Sequence, residues 1–280
     1  YQFMDDLMGY FTFSQGYRNG STNGIIDCSE IPAPNPNVVC GTPDQLLYQP
    51  DTTDNYELGI RSQWLDQSMT LNAALFYIQW NDVQVATTSF SGGFPIVVNG
   101  KSAESSGVEI DFNWQITDNL LMRSGYSFTA AKLAEEAPLL ADGNARKGDR
   151  LPGSPEHQGS LFFDLNLPIN SAVEFVGSYG FTAQSDVFTD IGTGSTCCRV
   201  EGAEALSGFT VHYLSLGLRG DQWEATLFAD NLLSEEAVTG VRPNRTLIGR
   251  AGGGANYAFR RYFNYVITPR IVGLDLRYRF

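Results

Sequence analysis

Five arginines and five aromatic residues are concentrated in one segment near the end of the chain, residues 234–268. Guanidinium groups form two parallel hydrogen bonds with carboxylates, catecholates or phosphates, and aromatic rings stack on flat ligands. The pattern predicts a site that captures an anionic metal chelate or a similar nutrient. Ordinary packing within a loop would use the same residue types and remains an alternative. The residues from which we expect ligand contact are Arg242, Arg245, Arg250, Tyr257, Phe259, Arg260, Arg261 and Tyr262.

The chain offers little for catalysis. A general base poised near neutral pH is most often a histidine, and only two are present, His157 and His212. Neither belongs to a His-Glu-x-x-His pair, and the sequence contains no Gly-x-Ser-x-Gly nucleophile elbow. The Gly252–Gly254 run lacks the Lys-Ser/Thr that follows a phosphate-binding loop. We therefore expect no catalytic residue, no protein-bound metal and no resident cofactor.

The composition narrows the class of protein. The chain of 280 residues has a formal net charge of −13, from 18 basic and 31 acidic residues, which argues against a nucleic-acid-binding role. No apolar run approaches the roughly 20 residues that a membrane helix needs. The mean hydropathy of −0.17 suits a soluble protein, and it suits equally a membrane barrel whose strands expose only alternate residues to lipid.

Alternation of apolar and polar residues predicts ten β-strands. In the final segment the apolar set alternates with Gly273, Asp275, Arg277 and Arg279, so one face is apolar and the other charged. The same pattern recurs at Tyr56–Arg61 and at Val108–Gln115. Some segments, such as Leu71–Thr87, exceed fifteen residues. We expect the apolar set to face lipid and the charged set to face a wet lumen, where charges of both signs pair across strands.

The predicted connections alternate between short and long. Short ones lie near residues 66–68, 117–119, 168–171 and 220–221, and long ones near 18–52, 89–99, 134–156, 189–208 and 234–268. In an up-and-down meander every second connection falls at the same end, so the tight turns share one rim and the long loops share the other. This asymmetry is typical of outer-membrane barrels. A Greek-key sandwich has no reason to sort its loops in this way.

Four cysteines, Cys28, Cys40, Cys197 and Cys198, lie in polar loop sequence. An even number suits an oxidising compartment, although four cysteines permit three pairings. We favour a disulfide between Cys28 and Cys40, which would close a loop rich in Pro and Asn. Cys197 and Cys198 either bond to each other or stay reduced.

Five segments in order resemble the barrels of TonB-dependent outer-membrane transporters. They are the Tyr-Glu-x-Gly strand of PDTTDNYELGIRSQW, the Gly-x-Glu strand of NGKSAESSGVEIDFNW, GDRLPGSPEHQGSLFFDL, FADNLLSEEA and the closing TPRIVGLDLRYRF. The resemblance implies an all-β, antiparallel, up-and-down transmembrane β-barrel of 22 strands with an N-terminal plug domain. Residues 1–280 would be its C-terminal portion, with the last ten strands, and neither the plug nor the earlier strands lie in this chain.

The same resemblance implies a location in the bacterial outer membrane and energy-dependent uptake of a scarce nutrient. The expected partners are TonB with ExbB and ExbD, the protein's own plug domain or a complementary chain, and outer-membrane lipid. Ferric siderophores are the most frequent cargo of such receptors and are our expectation here. Lipopolysaccharide is a further expected partner, since its phosphates could also occupy the arginine-rich segment.

The last strand also resembles the signal that outer-membrane assembly machinery reads, a terminal aromatic residue preceded by apolar residues at alternating positions. These residues are Val272, Leu274, Leu276, Tyr278 and Phe280. An ordinary edge strand that ends on Phe would look the same. For the whole chain, the alternative to a transporter is a stand-alone small barrel that acts as a structural protein, an adhesin or a rim enzyme.

Overall fold

The computed structural model describes residues 1–31, 40–88, 95–137, 140, 145–189, 191, 204–244 and 261–280. Eleven strands form one antiparallel sheet in which every strand pairs with its neighbours in sequence, which confirms the predicted fold class. The strands are β1 Gln2–Met4, β2 Leu7–Arg18, β3 Asp51–Trp64, β4 Met69–Asn81, β5 Ala103–Thr117, β6 Leu120–Leu133, β7 His157–Pro168, β8 Val173–Gln184, β9 Phe209–Gly220, β10 Trp223–Asp230 and β11 Ile271–Tyr278. Within the described ranges no helix is long and apolar enough to cross a bilayer.

The two faces of the sheet differ as the alternation predicts. Leu58 of β3 lies directly opposite Leu75 of β4, and Leu227 of β10 lies opposite Leu274 of β11. These four leucines are 54–62% exposed. A soluble sheet buries its apolar face against another layer, whereas this apolar face is uncovered across the width of the sheet. The arrangement is that of a sheet whose apolar side meets lipid.

Two strand predictions need correction. The sheet has eleven strands, because Gln2–Met4 turns at Asp5–Asp6 and pairs with the start of β2. The predicted strand Leu71–Thr87 ends at Asn81, because the backbone turns at Asp82, where φ is 52°. Gln84–Thr88 then pairs with Pro95–Asn99 in a separate hairpin outside the sheet. The long segment therefore divides into a spanning strand and a loop strand.

The connections alternate in length as predicted. Tight turns join β3 to β4, β5 to β6, β7 to β8 and β9 to β10, and long connections join the other strands from β2 onward. The long connections carry small elements of their own. These are the strands Ser21–Thr22, Ile26–Asp27, Cys40–Gly41, Leu47–Tyr48, Gln84–Thr88, Pro95–Asn99, Val187–Phe188, Ala205–Leu206, Val238–Asn244 and Arg261–Val266, the 3-10 helix Cys28–Glu30 and the α-helix α1, Pro43–Leu46.

The buried core of the described chain lies among the long connections. Its largest members are Val83, Ile96, Val98, Leu133, Leu140 and Ile191, each 3% exposed or less. They come from three successive long connections and the strand ends beside them, so these connections form one packed unit at this rim. The spanning part of the sheet has no comparable core, which fits a wall with lipid on one side.

The outermost strands of the sheet do not pair with each other. The strand order runs from β1 to β11 with no ladder joining these two among the described strands. On β11, the side chains of Val272, Leu276 and Tyr278 are 59–70% exposed. Unpaired strand edges carry open backbone hydrogen-bonding groups that recruit another strand. The described strands therefore form an open wall.

Candidate functional site on the charged face and at the loop rim

The arginine-rich segment is described in part. Arg242 lies on the strand Val238–Asn244, which pairs with the strand Arg261–Val266. The hairpin places Arg242 opposite Phe263 and Tyr262 opposite Pro243, so three of the eight predicted contact residues share one short ladder. Ligand contact from them stays a prediction. The other five, Arg245, Arg250, Tyr257, Phe259 and Arg260, lie outside the described residues, as do Cys197 and Cys198.

A buried asparagine closes the base of this connection. Asn231 is 2% exposed, and its Nδ2 donates to the carbonyls of Glu235 at 2.8 Å and Thr268 at 3.1 Å. Its Oδ1 accepts from the backbone N–H of Glu235 at 2.8 Å. The side chain thus joins residues near the two ends of the connection that contains the arginine-rich segment. This is the Asn of the FADNLLSEEA motif, for which sequence reasoning supplied no role.

The charged face holds a concavity of about 710 Å3 on the inner side of the sheet. Its lining includes Tyr10, Arg61, Asn72, Glu109 and Asp111. Both signs of charge and several hydrogen-bonding groups are present. Such a surface suits a polar protein surface or a hydrated solute, and it does not suit an apolar ligand.

A tyrosine links two strands at the edge of this concavity. Tyr10 Oη donates to Glu57 Oε1 at 2.6 Å, and the Arg61 guanidinium lies 5.6 Å from the centre of the Tyr10 ring. The ring crosses directly over Gly59, where an added Cβ would come within 2.4 Å of it. The Glu and the Gly of the Tyr-Glu-x-Gly motif therefore have a physical basis, since Glu57 accepts from Tyr10 and Gly59 leaves space for the ring of Tyr10.

A second aromatic ring lies over a glycine on the next pair of strands. The ring of Phe76 on β4 covers Gly107 on β5, where a Cβ would meet the ring at 2.7 Å and the carbonyl oxygen of Phe128 at 2.0 Å. The Gly of the Gly-x-Glu motif is thus required by close approach. Phe162 over Gly180 and Phe228 over Gly273 repeat the arrangement. All four rings lie on the charged face.

Charged side chains on this face pair across strands. Arg123 on β6 bonds Asp164 on β7 at 2.6 Å. Arg219 on β9 bonds Glu174 on β8 at 3.2 Å and Glu224 on β10 at 2.9 Å. These side chains are 21–52% exposed, so each pair contributes little to stability. The pairs instead fix the relative position of neighbouring strands, as the structural reading of these charges predicted.

A buried carboxylate ties the charged face to the loop rim. Asp51, the first residue of β3, is 1% exposed and accepts hydrogen bonds from the Arg18 guanidinium at the end of β2. It also accepts from Trp80 Nε1 at 2.8 Å and from the backbone N–H of Gln84 at 3.2 Å. One carboxylate therefore joins three neighbouring strands and the hairpin that begins after Asp82.

The first long connection is fastened to that hairpin. Asn23 Nδ2 donates to the carbonyl of Val97 at 2.6 Å, and its Oδ1 accepts from the Val97 N–H at 2.8 Å. Further along, the predicted disulfide is present, with Cys28 and Cys40 bonded and their Cα atoms 4.9 Å apart. Next to it, the backbone N–H of Ser29 donates to the Asp27 carboxylate and lowers its pKa.

Both histidines lie on the apolar face and are paired with tyrosines. His157 Nδ1 is 2.8 Å from Tyr126 Oη, and His212 Nδ1 is 3.0 Å from Tyr179 Oη. Each pair sits near the long-loop end of adjoining strands. Tyrosine and histidine carry an apolar body and a polar tip, which suits the boundary between hydrocarbon and head groups.

Three aromatic residues point with the charged set. They are Tyr10, Phe76 and Trp80. Their neighbours Phe11 and Tyr77 do lie on the apolar face and are 65% and 40% exposed. Where several aromatic residues are consecutive, alternation alone does not say which of them face inward.

Comparison with known proteins identifies the family of the barrel. Residues 1–232 match the family model described as TonB dependent receptor-like, beta-barrel. An uncharacterized TonB-dependent receptor of Haemophilus influenzae is 25% identical over 187 residues, which are 64% of this chain and 47% of that protein. A ferric-pyoverdine receptor of a Pseudomonas strain is 24% identical over 225 residues, 79% of this chain and 25% of that protein. The chain therefore spans less than half the length of these relatives.

Solved structures share the fold. The ferric yersiniabactin uptake receptor of Yersinia pestis superposes with a TM-score of 0.70 at 18% identity, covering all of this chain and 36% of the receptor. The ferric-catecholate import receptor of E. coli superposes with a TM-score of 0.64 at 18% identity, covering all of this chain and 34% of the receptor. At these identities the likeness concerns the fold alone.

Proposed function

Because the chain belongs to the family of TonB-dependent receptor-like β-barrels, we propose that it is the C-terminal portion of an outer-membrane transporter that takes up a ferric siderophore. Its place in the bacterial outer membrane follows from the family. The observation that carries the proposal is the two-faced, open sheet, with an exposed apolar face, a charged and hydrogen-bonding inner face, and unpaired outermost strands. Such a wall needs further strands to close and a polar object to face.

The inner concavity supplies the surface that we assign to the plug domain of the same protein. Tyr10, Arg61, Glu109 and Asp111 line it and present both charge signs to the bore. A plug with a polar surface would satisfy these groups, and water would satisfy them while the plug moves. We expect the force for that movement to come from TonB with ExbB and ExbD.

A ferric siderophore is the proposed cargo for two reasons. The arginine-rich segment has the chemistry for an anionic chelate, and three of the similar proteins are named for ferric chelates, those of pyoverdine, yersiniabactin and a catecholate. The described members of the predicted contact set, Arg242, Arg261 and Tyr262, belong to the long connection between β10 and β11, and we expect a ligand from outside to arrive at the rim formed by the long connections. Lipopolysaccharide phosphates remain a second partner for arginines on the outer side of the same rim.

Uptake of radioactive iron tests the proposal. The complete reading frame would be expressed in cells without other ferric-siderophore receptors, which are then offered hydroxamate, catecholate and carboxylate chelates of 55Fe. We expect uptake of at least one chelate, and we expect deletion of tonB to abolish it. Uptake of none of them, or uptake that persists without TonB, contradicts the proposal.

The contact residues are tested in the same cells. Replacing Arg260 and Arg261 by Ala should abolish uptake of the accepted chelate. Arg270→Ala removes one positive charge from the end of the same connection and should leave uptake unchanged, since its guanidinium makes one long hydrogen bond, 3.5 Å, to the carbonyl of Leu232. Equal uptake by both variants removes the arginine-rich segment from the proposed site.

A further inference from the structure

Four charged residues form a single row across the last four strands of the charged face. Glu174 on β8 lies directly opposite Arg219 on β9, Arg219 opposite Glu224 on β10, and Glu224 opposite Arg277 on β11. The signs therefore alternate at every step. Opposite charges that face each other across strands stabilise their pairing, and like charges oppose it. A row of this kind fixes the register of each strand against the next.

The row stops at a residue that has no neighbour on its far side. Arg277 is on the last strand of the sheet, its side chain is 68% exposed, and its guanidinium turns back to Asp275 on the same strand, at 3.2 and 3.1 Å. In the interior of the row the equivalent arginine, Arg219, reaches outward to carboxylates on both neighbouring strands. Among the described strands, Arg277 has such a neighbour on one side alone.

The backbone shows how another strand would join β11. The N–H of Arg279 donates to the carbonyl of Gln222 at 2.8 Å, so the odd-numbered residues of β11 direct their backbone groups to β10. Successive residues of a strand bond to opposite neighbours. Val272, Leu274, Leu276 and Tyr278 therefore direct their N–H and C=O groups to the open edge.

This geometry determines the kind of pair that Arg277 would make. Its opposite residue on a joining antiparallel strand would occupy a non-hydrogen-bonded position, where the two Cα atoms are about 4.5 Å apart and side chains lie closer together. The same alternation makes Arg219 and Glu224 a non-hydrogen-bonded pair, and their charged groups are 2.9 Å apart. Glu174 and Arg219, a hydrogen-bonded pair by the same reasoning, are 3.2 Å apart.

We propose that the strand which closes the barrel along β11 carries an Asp or Glu directly opposite Arg277, on the charged face. This inference rests on the proposed function, in that the strand is the first barrel strand of the part of the protein that precedes this chain. Closure by β1 would not supply the carboxylate, because β1 consists of Gln2, Phe3 and Met4 and contains no Asp or Glu. Closure by a second copy of β11 is the other competing arrangement.

Disulfide cross-linking in the full-length protein tests the pairing. The native cysteines are replaced by Ser, Arg277→Cys is introduced, and a second Cys is placed in turn at each inward-facing position of the first barrel strand, at Gln2 and at Met4. Cβ atoms of directly opposed residues are close enough for a disulfide after oxidation. We expect one position of the first barrel strand to cross-link, and we expect its native residue to be Asp or Glu.

The outcomes separate this inference from the proposed function. A neutral or basic native residue at the cross-linked position overturns the inference and leaves the larger barrel standing. A cross-link to Gln2 or Met4 overturns both, because the sheet then closes on itself, and a cross-link between two copies does the same. If the expected cross-link forms but no chelate is taken up, the proposed function fails and the inference stands.

Charge exchange adds a readout that depends on the ion pair itself. Arg277→Glu should raise the unfolding equilibrium constant of the purified protein roughly fivefold, since it places like charges opposite each other. Exchanging the carboxylate of the joining strand for Arg in the same protein should recover part of this loss, because Glu224 on β10 still faces the new Glu. Arg279→Glu makes the same change of net charge outside the row. Exchanging the carboxylate of the joining strand for Arg should not restore the stability of this variant. Equal rescue of both variants contradicts the pairing.

Discussion

Replacing Asp51 by Ala should weaken the whole loop rim, because this one carboxylate serves three donors. Arg18, Trp80 and the backbone N–H of Gln84 all donate to it, and it is 1% exposed. The three donors come from the end of β2, the end of β4 and the start of the hairpin that follows. Alanine offers no acceptor in place of the carboxylate, so water must enter or the donors must separate.

The size of the effect follows from the exposure of each donor. The side chain of Arg18 is 52% exposed, so the loss of its ion pair costs at most about 1 kcal/mol after screening by solvent. Trp80 and Gln84 are partly buried, and an unsatisfied donor at such a site costs about 1 kcal/mol, toward the low end of the range for fully buried groups. The free energy of unfolding should therefore fall by about 2–3 kcal/mol.

Urea unfolding of the detergent-solubilised full-length protein, followed by circular dichroism, measures this change. Asp111→Ala is the matched control, because Asp111 also lies on the charged face but is exposed and accepts one hydrogen bond, from Asn113 on its own strand at 2.8 Å. Its loss should cost no more than about 0.5 kcal/mol. If the two variants unfold at the same urea concentration and with the same dependence of the unfolding free energy on urea, Asp51 does not hold the loop rim together.

Three further predictions concern the faces of the sheet and the first loop. Gly107→Ala should destabilise the protein by roughly 1–3 kcal/mol, because the added Cβ meets a carbonyl oxygen at 2.0 Å. The control Gly125→Ala should fold normally, because the nearest contact of its Cβ would be 3.4 Å away. Thermal unfolding of the two variants measures the difference. Leu75→Lys on the apolar face should cost about 2–4 kcal/mol if it lies at the bilayer midplane, and Asn72→Lys on the inner face of the same strand should cost little, as measured by refolding into vesicles. Cys28→Ser should increase hydrogen exchange at the backbone of the paired strands Ile26–Asp27 and Cys40–Gly41, which lie next to the disulfide, while exchange in β3 stays unchanged.

The spanning sheet was predictable because its physics is local in sequence. A period of two assigns each residue to a face as soon as one residue is assigned, and the alternation of short and long connections orders the strands without knowledge of any contact. This reasoning placed Leu58 and Leu274 on one face and Glu57 and Arg277 on the other, as the structure has them. It failed at the strand ends, where alternation continues into the hairpin beyond Asp82.

The inner-face contacts were not predictable because they depend on register between distant segments. Tyr10 reaches Glu57 only because Tyr10 lies opposite Gly59, a pairing across 49 positions that no local pattern encodes. The glycine was visible in the sequence, and the ring that requires it was not. Asn231 and Asp51 are similar cases, since Asn231 bonds to Thr268, 37 positions away, and Asp51 bonds to Arg18, 33 positions away. A sequence search for them would need to look for small polar residues at strand ends next to long loops.

The position of the buried core bears on how a rim site would be built. Val98, Leu133 and Leu140 are 2% exposed or less, and Asn23 and Asp51 join the hairpin that contains Val98 to the first long connection and to the start of β3. None of the core residues comes from the described part of residues 231–270, which Asn231 holds at its base. A ligand bound by that connection would therefore face the other long connections, whose shape is maintained by their own buried core. Substitutions in the core should then alter ligand affinity by changing the shape of these packed connections. Substitutions at Asn231 should alter ligand affinity by changing the orientation of the arginine-rich segment.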